Sequence, residues 1–214
     1  MQPRDVAKLT DPVYSQHQQR DNTRNLKMRL KLLSPGEMSA DQKETYDEAI
    51  AGKRGAPPAP MMAWLNSPEM ARHATRLGAV LRFDTIFPAK LSEIAILVTA
   101  RHWSSHYEWY AHKRLALKGG MDPKIIEAIR DRRAPLFGDP KAQMIYDVAK
   151  SLHEAHGLSP GLYEEAIKVL KLRGLVEIIG LCGYYTMVSM TLNTFEFGLP
   201  EGEVSELARV AAAP

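Results

Sequence analysis

Four helix-start signals constrain the fold of this chain more than any other feature of its sequence. Each is a serine or aspartate followed directly by proline: Ser67-Pro68, Asp122-Pro123, Asp139-Pro140 and Ser159-Pro160. The polar side chain can cap free backbone N–H groups, and proline suits the first helical position because it has no N–H to leave unpaired. Strand signals are weak by comparison. The sequence therefore predicts an all-α fold.

The spacing of apolar residues predicts roughly eight helices. They lie near residues 41–51, 68–83, 90–102, 104–118, 123–131, 140–156, 160–171 and 174–193. Ser39 and Gln42 resemble a capping box for the first of them. Residues 52–68 are predicted to be a loop, because the prolines between residues 57 and 60 cannot continue a helix. The helix at 174–193 is apolar on most sides and is expected to be central.

Length and charge fit one ordinary soluble domain. The chain has 214 residues and a formal net charge of +3, and a chain of this length can bury a sizeable core. Lys and Arg alternate with Asp and Glu without a basic block, so nucleic acid is not an expected partner. The polar residues 1–30 are predicted to form an N-terminal arm, and residues 31–214 are predicted to form a single helical domain.

The sequence favours the cytoplasm. Its start lacks the apolar run of a secretory signal, and the most apolar stretch, residues 175–190, is short for a membrane span and contains Glu177. Cys182 is the only cysteine, so no intrachain disulfide can form, which fits a reducing compartment. We therefore expect a cytoplasmic protein with no membrane partner.

The stretch HWSSHYEWYAH, residues 102–112, concentrates ionisable and aromatic side chains. Because a helix turns about 100° per residue, Ser105, Glu108 and His112 share one face, and Glu108 and His112 are spaced i, i+4. A carboxylate beside an imidazole raises the pKa of the imidazole and orients its ring, which suits proton transfer near neutral pH. Trp103 and Trp109 would strengthen such a pair if they excluded water from it.

The same segment resembles the signature of the carboxymuconolactone decarboxylase family, which includes the alkylhydroperoxidase D type. Peroxidase members of that family have a glutamate, a cysteine twelve positions on, a second cysteine at fifteen and a histidine at nineteen. Counted from Glu93, these positions hold Ser105, Glu108 and His112, and the histidine between the cysteines corresponds to Tyr107. The glutamate and the last histidine match, whereas both cysteines are replaced.

The resemblance is clearest over residues 68–130 and weaker over residues 176–200. It implies an alkylhydroperoxidase D-like helical bundle, a site that needs no cofactor, and a homo-oligomer that is a trimer or hexamer, with a dimer as the alternative. It also implies acid–base chemistry on small carboxylated compounds. In lactone decarboxylation, for example, the electron-rich carbon left by carbon dioxide must be reprotonated. We therefore predict a decarboxylase or lyase whose substrate is a small organic acid of lactone or aromatic catabolism.

Four residues are the candidate catalytic groups under this hypothesis. His112 would donate or shuttle the proton, and Glu108 would orient it or act as the base. Ser105 would hydrogen-bond the substrate, and Glu93 would act behind them as a supporting carboxylate. Structural interpretations stay open for each: a solvated helix pair for Glu108 and His112, a favourable helix dipole for Glu93, and close packing for Ser105.

Four further residues are the candidate substrate-binding groups. Arg101, or alternatively Arg82, would hold a substrate carboxylate through two hydrogen bonds. His102 and Trp109 would line the pocket. The neighbouring tyrosines 184 and 185 are predicted to be core residues, because they lie in an apolar helix.

Alternative functions remain. A hydrolase or an isomerase would use the same residues, and a non-catalytic oligomer would only bind a ligand. An alkylhydroperoxidase-like redox function is disfavoured, because peroxide reduction in this family needs a reactive thiolate and a resolving thiol.

A metal site is a further alternative. His102 and His106 are spaced i, i+4, and Glu93, Glu108 and His112 would add ligands of the kind that bind zinc. His106 and His112 lie on different faces of one helix, however, so we predict no metal.

Overall fold

The computed structural model describes residues 28–208, so nearly all of the predicted N-terminal arm lies outside the described residues. Within residues 28–208 the chain forms eight helices and no strands, which confirms the predicted all-α class. The helices are α1 (Ala40–Ala51), α2 (Ala59–Trp64), α3 (Pro68–Phe83), α4 (Ala89–His102), α5 (His106–Lys118), α6 (Pro123–Arg130), α7 (Pro140–Glu154) and α8 (Pro160–Thr194).

Local capping explains why most of these helices begin where they do. Asp122, Asp139 and Ser159 each accept a hydrogen bond from a backbone N–H in the first turn of their helices. Ser39 and Gln42 form the predicted capping box at the start of α1. Ser67 precedes α3 without a side-chain capping bond, so there proline at the first helical position sets the start.

One prediction about helix boundaries was wrong. Part of the predicted loop at 52–68 is the short helix α2, which its prolines permit because they lie before it or in its first turn. The last two predicted helices are the two parts of α8, which meet at a kink where Lys171 is non-helical, with φ 62° and ψ 165°; the kink lies at the predicted end of the first of them, residue 171.

The core lies where α4, α7 and the second half of α8 pack together, with α5 against α4. Leu97, Ile145, Ile178 and Leu181 are fully buried there. Helix α8 is long and apolar enough to cross a membrane by length and composition alone, but half of its most apolar window is buried inside the fold. That burial is typical of the core helix of a soluble protein, and the length of α8 does not show that it spans a membrane.

A glycine brings α3 and α8 into close contact. A Cβ atom placed on Gly78 would lie 2.2 Å from the hydroxyl oxygen of Tyr184, so only glycine fits at this position. Tyr184 therefore packs directly against α3, whose last turn carries Arg82.

Candidate active site

Two neighbouring helices hold one histidine between two carboxylates. His112 and Glu108 lie one turn apart on α5, and Glu93 lies on α4. The Nδ1 atom of His112 is 2.6 Å from Oε2 of Glu93, and its Nε2 atom is 2.8 Å from Oε1 of Glu108. All three residues are buried. Both ring nitrogens are thus engaged by acceptors, which fixes the orientation of the imidazole. We call these three residues the relay.

The electrostatic setting favours the protonated form of the histidine. Burial opposes the charged ring, but the negative charge of Glu93, an interaction with Tyr185 and the charge of Glu108 outweigh it and raise the pKa of His112 to about 10. At neutral pH both ring nitrogens therefore carry a proton, and each N–H donates to a carboxylate. The relay as a whole then carries one negative charge.

Arg82 supplies the balancing positive charge. Its Nη1 atom lies 3.8 Å from Oε1 of Glu93, and its side chain is only 15% exposed. Burial lowers the pKa of the guanidinium, but interactions with Tyr185, Glu93 and Glu108 raise it overall. A buried ionic group is tolerated when its charges compensate one another, as they do in this cluster.

Tyr185 completes the cluster from α8. Its ring packs edge-on against the imidazole of His112, with centroids 4.9 Å apart and an interplanar angle of 81°. It is buried, as predicted for a core residue, and it also interacts with Arg82. These contacts could not be predicted from the sequence, because they join residues that are distant along the chain.

Ser105 is the N-cap residue of α5, but its side chain forms no capping hydrogen bond. The residue is fully buried, and its Oγ atom has no hydrogen-bond partner among the described residues. A buried unpaired hydroxyl costs about 1–3 kcal/mol. One turn before Glu108, such a group is suited to the predicted hydrogen bond with a substrate.

Arg101 and His102 lie away from the relay. Arg101 is two turns beyond Glu93 on α4, about 12 Å along the helix axis, and donates from Nε to the carbonyl of Arg130 at 2.5 Å and from Nη1 to Oγ of Ser104 at 3.0 Å. His102 stacks on His153. Of the two arginines considered for a substrate carboxylate, Arg82 is therefore the one beside the relay.

Trp109 is directed toward the C-terminal segment. The residue is buried, and its indole Nε1 donates to Oε2 of Glu206 at 3.4 Å. Together with Lys113 and Glu206 it lines two surface grooves on that side of α5. His102 and Trp109 were predicted to line one pocket. They lie instead in two different regions, and neither contacts the relay in the interactions described above.

The geometry also bears on the two remaining alternatives, a metal site and a redox function of Cys182. Among residues 28–208 no group of three or more His, Cys, Asp and Glu side chains is placed to hold a metal ion. Cys182 is buried, and burial raises the pKa of its thiol to about 12, against a smaller opposing effect of Thr99. The thiolate that peroxide reduction requires is therefore scarce at neutral pH.

Comparisons with known proteins identify the fold. No family model matches the sequence, and no curated protein matches it. An uncharacterized peroxidase-related protein from Silicibacter sp. TM1040 has a similar structure, with a TM-score of 0.65 and 17% identity over 84% of this chain and 95% of that one. A second similar structure is described as an alkylhydroperoxidase AhpD core, an uncharacterized peroxidase-related protein from Ralstonia eutropha JMP134, with a TM-score of 0.64 and 15% identity over 82% and 93% of the two chains.

These two structures confirm the alkylhydroperoxidase D-like fold predicted from the sequence. Identities of this size concern the fold alone, and fold alone does not specify a reaction.

Proposed function

We propose that this protein is a cofactor-free acid–base enzyme that acts on a small carboxylated compound, and that its reaction is a decarboxylation or related lyase step. The observation that carries the proposal is the position of His112 between the carboxylates of Glu93 and Glu108. The resemblance of residues 93–112 to carboxymuconolactone decarboxylases supports the choice of reaction.

The buried relay would deliver a proton to the substrate. In a decarboxylation, the bond between the substrate carbon and its carboxyl carbon breaks, carbon dioxide leaves, and the electron pair remains as an enolate-like anion. The proton on Nε2 of His112 would reach that carbon through Glu108 in one step, as the negative charge develops on the carbon. Glu93 would hold the ring through Nδ1 meanwhile. The raised pKa of His112 keeps this proton in place before the reaction.

We propose that Arg82 binds the negatively charged carboxylate of the substrate. It is the member of the cluster with a partly exposed side chain, and its guanidinium has five N–H donors in a planar fork that matches a carboxylate. The unpaired hydroxyl of Ser105 would supply an additional hydrogen bond. A hydrolase or an isomerase would use the same groups, and only the products distinguish these reactions.

We also propose that the protein is a homo-oligomer. Leu77 and Val80 on α3 and Leu172, Val176 and Ile179 on α8 are exposed large apolar side chains. Their helical spacing puts them on single faces of two helices that pack together. Exposed apolar faces of this kind commonly contact another chain. Light scattering would test this proposal, with a monomer predicted for the Leu77→Glu, Val176→Glu double variant.

The function is tested by incubating the purified protein with lactone, β-keto and aromatic carboxylic acids while recording both substrate loss and carbon dioxide. Glu108→Gln keeps the size of the side chain but removes its charge, and Glu127→Gln is the matched control, because Glu127 is an exposed residue of α6. Carbon dioxide release by the wild type and the control, but not by Glu108→Gln, supports the proposal.

Other outcomes would point elsewhere. Substrate loss without carbon dioxide would favour hydrolysis or isomerisation. A ligand-dependent rise in melting temperature without any product would favour a non-catalytic binding protein. Equal turnover by Glu108→Gln and the wild type would contradict the assigned mechanism.

A further inference from the structure

A second cluster of nitrogen-rich side chains lies where α4, α6 and α7 end. The ring of His102, at the end of α4, stacks on His153 in the last turn of α7, with centroids 4.7 Å apart and an interplanar angle of 20°. Arg132, which follows α6, reaches the carbonyl of Arg101 with its Nη2 atom at 3.5 Å. The side chains of Arg101, Arg132, His102 and His153 therefore lie in one region, which we call the corner.

The backbone at this corner is strained at three positions. Ser104, Arg132 and His156 follow α4, α6 and α7, and they have positive φ angles of 45°, 56° and 59°. Glycine is the residue that ends a helix in this conformation with least strain. The chain instead keeps a hydroxyl, a guanidinium and an imidazole at these three helix ends. Strain of this kind concentrates at functional sites.

Positive charge at the corner is not neutralised by contact with carboxylates. Among the described residues, no Asp or Glu forms an ion pair with Arg101 or Arg132. Two acids act on this corner electrostatically, Asp131 on Arg101 and Glu154 on His102. Both have other partners, since Asp131 pairs with Arg130 and Arg133, and Glu154 pairs with Lys150.

The pKa values of both stacked histidines are lowered, and burial is the largest cause. A helix C-terminus by itself favours a protonated histidine. Here burial and then Arg132 lower the pKa of His102, with His156 acting in the same direction and Glu154 opposing. Burial and then His102 lower the pKa of His153 to about 4. Among the neighbouring charged groups, Arg132 has the largest effect on His102, which agrees with its position beside the stacked pair.

We propose that this corner binds a small phosphate-type anion between Arg101, Arg132 and the stacked pair of His102 and His153. The Nε2 atom of His153 is 2.8 Å from the hydroxyl of Thr99, so His153 would contact the anion through its other ring nitrogen, Nδ1. The two hydrogen bonds of the Arg101 guanidinium leave three of its five N–H donors available. The donors come from three helix ends rather than from one planar fork, which suits a tetrahedral oxyanion better than a planar carboxylate. This site is separate from the relay, because Arg101 lies about two turns along α4 from Glu93.

The test uses inorganic phosphate as the probe and the full-length protein at constant ionic strength near neutral pH. Binding is followed by NMR through the ring signals of His102 and His153. The variant is Arg132→Asn, because asparagine tolerates the left-handed backbone conformation. The matched control is Arg133→Asn, which removes the next, exposed arginine that pairs with Asp131.

We expect saturable binding that raises the pKa of both histidines. Loss of a charge-assisted contact predicts that Arg132→Asn weakens binding about tenfold or more, and Arg133→Asn should leave it unchanged within about twofold. Absence of saturable binding at millimolar phosphate, or an equal loss in the two variants, would overturn the proposal. Acetate binding as tightly as phosphate would overturn the assignment to a tetrahedral oxyanion.

Discussion

The Nδ1 atom of His112 lies 2.6 Å from Oε2 of Glu93, although the two residues are nineteen positions apart and belong to different helices. The contact places Glu93 directly on the imidazole, closer than the supporting position expected from the sequence. With Glu108 on the opposite nitrogen, it makes His112 a buried cation between two anions. This arrangement is the physical basis of the proposed proton transfer.

Removal of the imidazole is expected to abolish turnover while the fold survives. His112→Gln keeps a polar side chain but cannot carry the proton, and loss of general acid–base catalysis typically reduces kcat by about 10²–10⁴-fold. The measurement is turnover of whichever substrate the panel identifies, with circular dichroism to check the fold. A folded His112→Gln protein with wild-type kcat would contradict the assignment.

Neutralising Glu93 is expected to destabilise the protein. Glu93→Gln keeps the shape of the side chain but leaves His112 and Arg82 with less compensating charge, and breaking a buried ion pair typically costs about 3 kcal/mol. Urea denaturation at neutral pH measures the free energy of unfolding. Glu177→Gln, at a less buried position on α8, is the control. An equal, small decrease in the free energy of unfolding in both variants would show that Glu93 does not stabilise the protein electrostatically.

The contribution of His112 to stability is expected to depend on pH. Its pKa is raised from 6.5 to about 10 in the folded protein, so the native state binds the proton more tightly than the unfolded state. The stabilisation is therefore complete below pH 6.5, declines as pH rises from 6.5 toward 10, and is lost above that range. Denaturation of the wild type and His112→Gln across this range measures the difference. A difference that is independent of pH would contradict the raised pKa.

Tyr185 is expected to position Arg82 and the imidazole. Tyr185→Phe keeps the aromatic ring against His112 but removes the hydroxyl, and loss of a hydrogen bond to a charged group predicts about a tenfold fall in kcat/KM. The pKa of His112 should fall as well, because Tyr185 contributes to raising it. Tyr184→Phe is the matched control from the neighbouring position. If both variants behaved alike, Tyr185 would have no specific role.

Gly78 is expected to tolerate no side chain. A Cβ atom there would lie 2.2 Å from the hydroxyl of Tyr184, whereas a Cβ atom on Gly183 would meet nothing within 4 Å. Overpacking typically costs about 1–3 kcal/mol, so Gly78→Ala should lower the free energy of unfolding by that amount. Gly183→Ala should be neutral or slightly stabilising, because alanine favours a helix. Equal stability of the two variants would contradict the close approach of α3 and α8.

Local signals predicted the fold well. Helix starts depend on a capping side chain and a following proline, which are adjacent in sequence, so most of the eight helices were correctly placed. The predictions failed where tertiary packing decides. Helix α2 was predicted as a loop, but its prolines lie before it or in its first turn and it packs through buried Met61 and Met62.

The contacts of the candidate site also fall into those that local spacing predicts and those that depend on tertiary packing. The contact of Glu108 with His112 follows from spacing within one helix and was predicted from the sequence. The contacts of Arg82 and Tyr185 depend on how α3 and α8 pack around α5, which no spacing along the chain specifies. Arg101 and His102 were grouped with the relay because they are near it in sequence, but two turns of α4 carry them to a different corner.

The most direct test of the account is the protonation state of His112, measured by NMR of the imidazole nitrogens as a function of pH. Both ring nitrogens of His112 are predicted to remain protonated at about pH 8, where an unperturbed histidine is neutral. The ring is predicted to lose its proton only near pH 10. Titration of His112 near its ordinary value of 6.5 would contradict the proton-loaded relay and, with it, the proposed mechanism.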